Sequence, residues 1–192
     1  MTYYERNLPH WQPLGKDLFV TWRLSGSLPA KVVEAVKAKG ELAEGRRFAE
    51  FDRELDSGRH GPTWLSDERV ATLVVESIEE AEANGLCKIH AYVVMPNHVH
   101  VLLESGSELA RITKLIKGGT ARAANKILGR TGKFFWQDES FDHWIRTPTE
   151  FDKVQTYIVR NPLKAGFVLH VEDWKWSSVS RSGKGSLNSG QR

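Results

Sequence analysis

Two histidines one residue apart, His98 and His100, stand in the run Val93-Val94-Met95-Pro96-Asn97-His98-Val99-His100-Val101-Leu102-Leu103, which is apolar but for one break at Met-Pro-Asn. On a β-strand successive side chains point to opposite faces. Both imidazoles therefore project to one face, and Val99 and Val101 to the other. A strand repeat of roughly 7 Å lets two imidazoles converge on one metal ion. The plainer alternative makes one histidine a core residue and the other a surface residue. Two imidazoles alone are an incomplete ligand set, so a third ligand must come from elsewhere in the chain.

The natural donor is a terminal helix. Thr147-Pro148-Thr149-Glu150 is a strong helix start, with Thr at the N-cap, Pro at the first helical position and Glu two residues on. Phe151, Val154, Tyr157 and Ile158 follow, and the helix is expected to stop at Asn161-Pro162, because the residue before proline disfavours helical geometry. Tyr157 and Asn161 are four apart and share a face wherever the helix reaches Asn161. A tyrosine, with a free pKa near ~10, is a poor nucleophile at neutral pH. It becomes useful when a cation polarises the electrophile or neutralises a phosphate oxygen that leaves. The alternative is a half-buried aromatic on an amphipathic helix.

The elements that must position these residues read as follows. Residues 1–13 form an extended arm. Leu14 to Leu24 holds the first strand, around Leu18-Phe19-Val20-Thr21-Trp22. Pro29 to about Ser57 is helical and broken near Gly40 and Gly45, with Val32, Val33 and Val36, then Phe48, Phe51 and Leu55, at helical spacing. Ser66 caps a helix striped by Val70, Leu73, Val74, Ser77, Ile78 and Ala81, which ends near Asn84-Gly85. Cys87–Val94 and His98–Glu104 are neighbouring strands. Glu108 to about Leu128 is a long helix that buries Ile112, Leu115, Ile116, Gly119, Ala123 and Ile127. Phe134-Phe135-Trp136 and Phe141 to Ile145 make a strand or hairpin-like segment with an aromatic face. Leaving out an insertion at about 27–64, the order is βαββαβ followed by a terminal helix. That is the plan of an α+β, ferredoxin-like sandwich with a helical insertion after the first strand. The histidine strand is internal in that plan, and its second face is free for the terminal helix or a ligand. Residues 1–176 form one domain, and the Ser/Gly-rich stretch 177–192 reads as a disordered basic tail.

Composition narrows the class. At 192 residues the chain is long enough for one real core. It lacks an apolar run long enough to span a membrane and a signal-peptide core, so a cytoplasmic protein with no membrane partner is expected. Its single cysteine, Cys87, excludes an intrachain disulfide and reads as a small buried hydrophobe. The net charge of +3 comes from the last twelve residues; the rest of the chain is neutral. The distribution is uneven. Arg111, Lys114, Lys117, Arg122, Lys126, Arg130 and Lys133 form a run without an acid, while Asp67–Glu82 carries six acids and one base. A solvated helix face explains such a run, and so does a polyanionic ligand on one side.

The stretch Tyr92 to Leu103, with Met95-Pro96-Asn97-His98-Val99-His100, closely resembles the HUH region of the single-tyrosine transposases. Phe141-Asp142-His143-Trp144-Ile145-Arg146, then Tyr157-Ile158-Val159-Arg160-Asn161-Pro162-Leu163-Lys164-Ala165-Gly166, resembles their tyrosine-bearing part. The likeness spans about residues 14–176, including His60-Gly61-Pro62-Thr63-Trp64-Leu65, and is strongest to the REP-associated tyrosine transposase branch. It implies a metal-dependent endonuclease and strand transferase that cleaves hairpin-forming, repetitive palindromic single-stranded DNA. It implies that His98, His100 and Asn161 hold Mg²⁺ or Mn²⁺, and that Tyr157 is the catalytic nucleophile of a 5′-phosphotyrosine step. In that setting Arg111, Lys114, Lys117, Arg122 and Lys126 neutralise phosphates, and Trp136 and Trp144 stack on bases. Family likeness favours a monomer over a homodimer that exchanges tyrosine helices. Two alternatives stay open: a replication-initiator or relaxase-like nickase, and a catalytically silent DNA-binding repressor on the same fold.

Overall fold

The computed structural model describes residues 2–5, 9–12, 14–38, 44–57 and 60–180. Its centre is a four-stranded antiparallel sheet in the order β4-β5-β3-β6, built from β3 (Asp17–Arg23), β4 (Cys87–Val94), β5 (His98–Ser105) and β6 (Phe141–Trp144). The helices are α1 (Ala30–Ala38), α2 (Glu44–Asp56), α3 (Glu68–Ala83), α4 (Leu109–Ile127) and α5 (Pro148–Lys164). The core of the expected plan, α+β with an inserted helical segment and a terminal tyrosine helix, is present. β5 is internal, as the plan required.

Alternation along the strands divides the interior in two. Leu18, Val20, Trp22, Val99, Val101 and Leu103 face α3 and α4 and pack with Val70, Val74, Ile78, Ile112 and Ile116. Phe19, Ala91, Val93 and Leu102 face the other way, under α5 and α2, with Ile158 and, at the edge, Phe48, Val154 and Tyr157. The molecule thus has three layers, and the two histidines lie on the α2/α5 side of the sheet.

Several boundaries differ from the sequence expectation. The N-terminal arm contains two paired strands, β1 (Thr2–Glu5) and β2 (Pro9–Gln12), with Thr2 opposite Gln12. Gly45 lies inside the first turn of α2, where a helix tolerates glycine; Gly40 lies outside the described residues. Asp67, not Ser66, caps α3, because a 3₁₀ turn at Trp64–Ser66 precedes it and the Asp67 carboxylate accepts from the Arg69 N–H. The stripe of α4 is rotated: Leu109, Ile112, Ile116, Thr120, Ala124 and Asn125 are buried, while Leu115 and Gly119 are exposed. In the aromatic segment only β6 is a full strand, and Trp136 makes a single bridge to Leu24.

Two differences matter for the site. α5 does not stop at Asn161 but carries Pro162 inside it and runs to Lys164. Proline near a C-terminus forfeits one hydrogen bond, which burial of Ile158 and Pro162 offsets. The helix then ends in a Schellman motif: Gly166, at φ 77°, donates to the Leu163 carbonyl and Phe167 to that of Pro162. Ser177 is also not tail-like. It is buried and bridges Val93, and the Tyr92 N–H donates to Ser178 Oγ. Residues 181–192, the greater part of the expected tail, lie outside the described residues.

Candidate active site

The strand register brings the site together. Thr21 on β3 lies opposite His100, and Arg23 opposite His98. His98 and His100 are both fully buried, with their Nε2 atoms 3.1 Å apart. Each ring is held through its other nitrogen. His98 Nδ1 lies 2.6 Å from Asn97 Oδ1, and His100 Nδ1 lies 2.7 Å from Thr21 Oγ1. The Asn97 amide orientation is set by its Nδ2, which donates to the Leu55 carbonyl of α2 at 2.9 Å. Its Oδ1 is therefore the atom offered to His98, so His98 Nδ1 carries the proton and donates. That leaves the Nε2 lone pair bare, as a metal ligand requires. Burial, together with neighbouring His100, pushes the His98 pKa down to about 3 against the pull of Asp52, so the ring is neutral at physiological pH.

A third group arrives from α2, which the sequence reading did not connect to the site. Asp52 Oδ1 lies 3.1 Å from His100 Nε2 and 3.8 Å from His98 Nε2, and Asp52 is 1% exposed. Neither carboxylate oxygen has a hydrogen-bond donor in good geometry among the described residues. Burial opposes its ionisation, but His100, His98 and Lys164 together outweigh it and hold its pKa below the ordinary value. One turn on, Asp56 Oδ1 lies 3.8 Å from His98 Nε2 and Oδ2 lies 3.6 Å from Lys164 Nζ. Burial, then the charge on Asp52, pushes the Asp56 pKa up to about 6. The sequence did hold a signal. Asp52 sits in the same helical stripe as Phe48 and Leu55, a carboxylate where the pattern asks for an apolar residue.

α5 supplies the rest. Because the helix passes Pro162, Tyr157 and Asn161 do share a face. The Tyr157 ring centroid is 5.5 Å from that of His100, and Lys164 Nζ is 5.3 Å from the Tyr157 ring. Tyr157 Oη and both amide atoms of Asn161 are buried and lack hydrogen-bond partners among the described residues. Beside them opens a cleft of about 750 Å³, with Phe19, Phe48, Phe141, Arg53, Lys153 and Lys164 in its walls.

These donors fit a divalent cation. Ligand atoms held about 2.0–2.2 Å from one ion stand roughly 3.0–3.5 Å apart, and the spacings of 3.1, 3.1 and 3.8 Å are close to that. Among the described residues, the buried oxygens of Asp52 and Asn161 have no hydrogen-bond partner in good geometry, as ligands for an ion would be.

The residues expected to bind DNA are elsewhere. Arg111, Lys114, Lys117, Arg122 and Lys126 lie on α4, across the sheet from Tyr157. Arg111, Lys114, Arg122 and Lys126 are exposed. Lys117 is tied down: its ammonium donates to the Gln137 and Asp138 carbonyls at 2.7 and 2.8 Å, and burial pushes its pKa down to about 8 against Asp138. Trp136 is not a stacking surface. It is 6% exposed, it packs edge-on to Trp22, and its indole N–H donates to Thr120 Oγ1 at 2.9 Å. Trp144 is half-buried on the α3/α4 side, with the Arg146 guanidinium 5.4 Å from its ring. The exposed aromatic of this region is Phe134, 80% accessible, and the bases nearest the tyrosine cleft are Arg53, Lys153 and Lys164. The sequence reading assigned none of these four to DNA.

The family described as "Transposase IS200 like" matches residues 62–161. A REP-associated tyrosine transposase of Escherichia coli is 31% identical over 97 residues, 49% of this chain and 55% of that protein. A Haemophilus influenzae protein that carries the same name provisionally is 28% identical over 108 residues, 50% of this chain and 61% of that protein. The matched part thus spans little more than half the length of these relatives. A solved structure of a REP-associated tyrosine transposase bound to a REP hairpin superposes with a TM-score of 0.60 at 20% identity, covering 97% of this chain and 88% of that one, a likeness of fold. Among the described residues, no helix is long and apolar enough to cross a membrane.

Proposed function

The chain belongs to the IS200-like transposase family, and from that premise we propose that it cuts and rejoins single-stranded DNA beside a hairpin, with Tyr157 as the nucleophile. The observation that carries this is the Tyr157 hydroxyl, buried and without a hydrogen-bond partner among the described residues, beside the His98/His100 pair. His98, His100 and Asn161 would hold a divalent cation, Mg²⁺ or Mn²⁺. When bound, it supplies Lewis-acid polarisation of the scissile phosphate. Asn97 keeps the proton of His98 on Nδ1, so that Nε2 stays free to ligate. The Lys164 ammonium lies 5.3 Å from the centre of the Tyr157 ring. Tyr157 Oη attacks phosphorus, the bond to the 3′ oxygen breaks, and that oxygen takes up a proton. The products are a 5′-phosphotyrosine and a free 3′-OH. Attack by a 3′-OH on the phosphotyrosine reverses the step and releases the phenol. Arg53 and Lys153 sit where they can neutralise phosphates flanking the scissile one, and Phe48 and Phe141 wall the cleft with aromatic surface. The exposed bases of α4 hold the hairpin stem. Tyr157 serves the histidines of its own subunit, which supports action as a monomer.

The test is cleavage of a labelled single-stranded hairpin from DNA flanking the gene, with Mn²⁺ or Mg²⁺. A covalent protein–DNA adduct with wild type, and none with Tyr157→Phe, is the expected result. Binding without an adduct in both proteins and with both ions replaces this reading with that of a DNA-binding repressor.

A further inference from the structure

We propose that the inserted helix α2 is a working part of the metal centre: Asp52 is a protein ligand of the divalent cation, and its ligation pins α2 over Tyr157. The inference rests on the reading of His98 and His100 as metal ligands. It concerns a helix that lies outside the matched residues 62–161.

Three observations carry it. The first is position. Asp52 Oδ1 completes a triangle with the two Nε2 atoms whose sides, 3.1, 3.1 and 3.8 Å, are close to those of ligands around one ion. The second is charge. Asp52 is buried, and among the described residues neither oxygen has a donor in good geometry, although His100 Nε2 stands 3.1 Å from Oδ1; Asp56 lies one turn away. Among the described residues, the groups facing this pair are His98, His100 and Lys164, whose ammonium lies 3.6 Å from Asp56 Oδ2. Two carboxylates one turn apart on one buried helix face repel each other, and a divalent cation between Asp52 and the imidazoles offsets that repulsion. Two imidazoles and an amide form an uncharged ligand set, whereas a carboxylate adds the hard, anionic oxygen that Mg²⁺ and Mn²⁺ prefer.

The third is how α2 is seated. Its Leu55 carbonyl accepts from Asn97, the residue that also orients His98. Phe48, one turn before Asp52, meets Phe19 edge-on at 5.2 Å and approaches the rings of His100 at 6.1 Å and Tyr157 at 6.3 Å. The stripe Phe48-Asp52-Asp56 therefore touches the sheet, the histidines and the nucleophile together. Loading the ion fastens the helix that roofs the cleft.

The experiment uses the full chain and Mn²⁺ alone. Mn²⁺ affinity is measured by calorimetry or by electron paramagnetic resonance for wild type, Asp52→Asn and Asp52→Glu, and amide hydrogen exchange over residues 44–56 is followed with and without Mn²⁺. We expect Asp52→Asn to weaken Mn²⁺ by about tenfold or more, with Asp52→Glu recovering part of the loss. In wild type, Mn²⁺ slows exchange in α2. A smaller loss in a folded Asp52→Asn protein overturns the inference, as does wild-type α2 exchange that ignores Mn²⁺. The second readout needs no variant and stands if Asp52→Asn does not fold. Wild type that forms the DNA adduct while Asp52→Asn keeps its Mn²⁺ sinks this inference alone. Asp52-dependent Mn²⁺ binding without an adduct sinks only the proposed reaction.

Discussion

Asn97 shows how much a single side chain can carry here. It is 2% exposed, and its amide spends one end on the Leu55 carbonyl and the other on His98 Nδ1. Asn97→Ala leaves a buried carbonyl without a donor and frees His98 to change tautomer. We expect a stability loss of about 1–3 kcal/mol in urea unfolding together with weaker Mn²⁺ binding; full stability with full affinity would show that the amide orients nothing. Cys87 tests the opposite kind of residue. Burial, with Glu82 beside it, pushes the thiol pKa up to about 11. At pH 8 the thiolate fraction in the folded protein is thus on the order of one in a thousand, and a thiol reagent should label Cys87 only after denaturation. Residue identity was legible in the sequence where chemistry and strand period coincide: His98 and His100 had to share a face. Asp52 was not legible as a ligand, because nothing local says that its helix folds back onto β5.

At the scale of elements, α4 separates two roles that one run of basic residues disguised. Lys114 is exposed, whereas Lys117 is spent on two backbone carbonyls of the segment after the helix. If the exposed face of α4 holds phosphates, Lys114→Ala lowers the slope of log affinity against log salt by about one. Lys117→Ala leaves that slope unchanged and lowers the melting temperature instead. Equal slopes for wild type and Lys114→Ala would remove α4 from the DNA surface. Trp136 makes the same point for aromatics. Packed against Trp22 and anchored to Thr120, it should cost about 3–5 kcal/mol when replaced by Ala, whereas Phe134→Ala, 80% exposed in the native fold, should change stability little. Sequence periodicity found α4 and α5 with ends good to a few residues. It could not rank Trp136 against Phe134, because burial of an aromatic in an irregular segment depends on what folds over it. It also stopped α5 at Pro162, since the local cost of proline is visible and the burial that offsets it is not.

At the scale of the whole molecule, the sheet lies between the exposed bases of α4 and Tyr157. A duplex stem resting along α4 therefore cannot present its own foot to the nucleophile. The strand must leave the stem, turn the edge of the sheet and enter the cleft walled by Arg53 and Lys153. Adjacent layers are spaced about 10 Å apart, so crossing from the outer to the inner helical layer covers roughly 20 Å. At about 3.4 Å per stacked nucleotide that is on the order of six nucleotides, and fewer if the strand is stretched. Hairpins of one stem with tails of increasing length give the test. A blunt stem and a two-nucleotide tail should bind without forming an adduct, and adduct yield should rise as the tail approaches six nucleotides, with affinity changing far less than yield. An adduct formed efficiently with two nucleotides would place the stem on the α5 side of the sheet and assign Lys153, Arg53 and Lys164, rather than α4, to its phosphates.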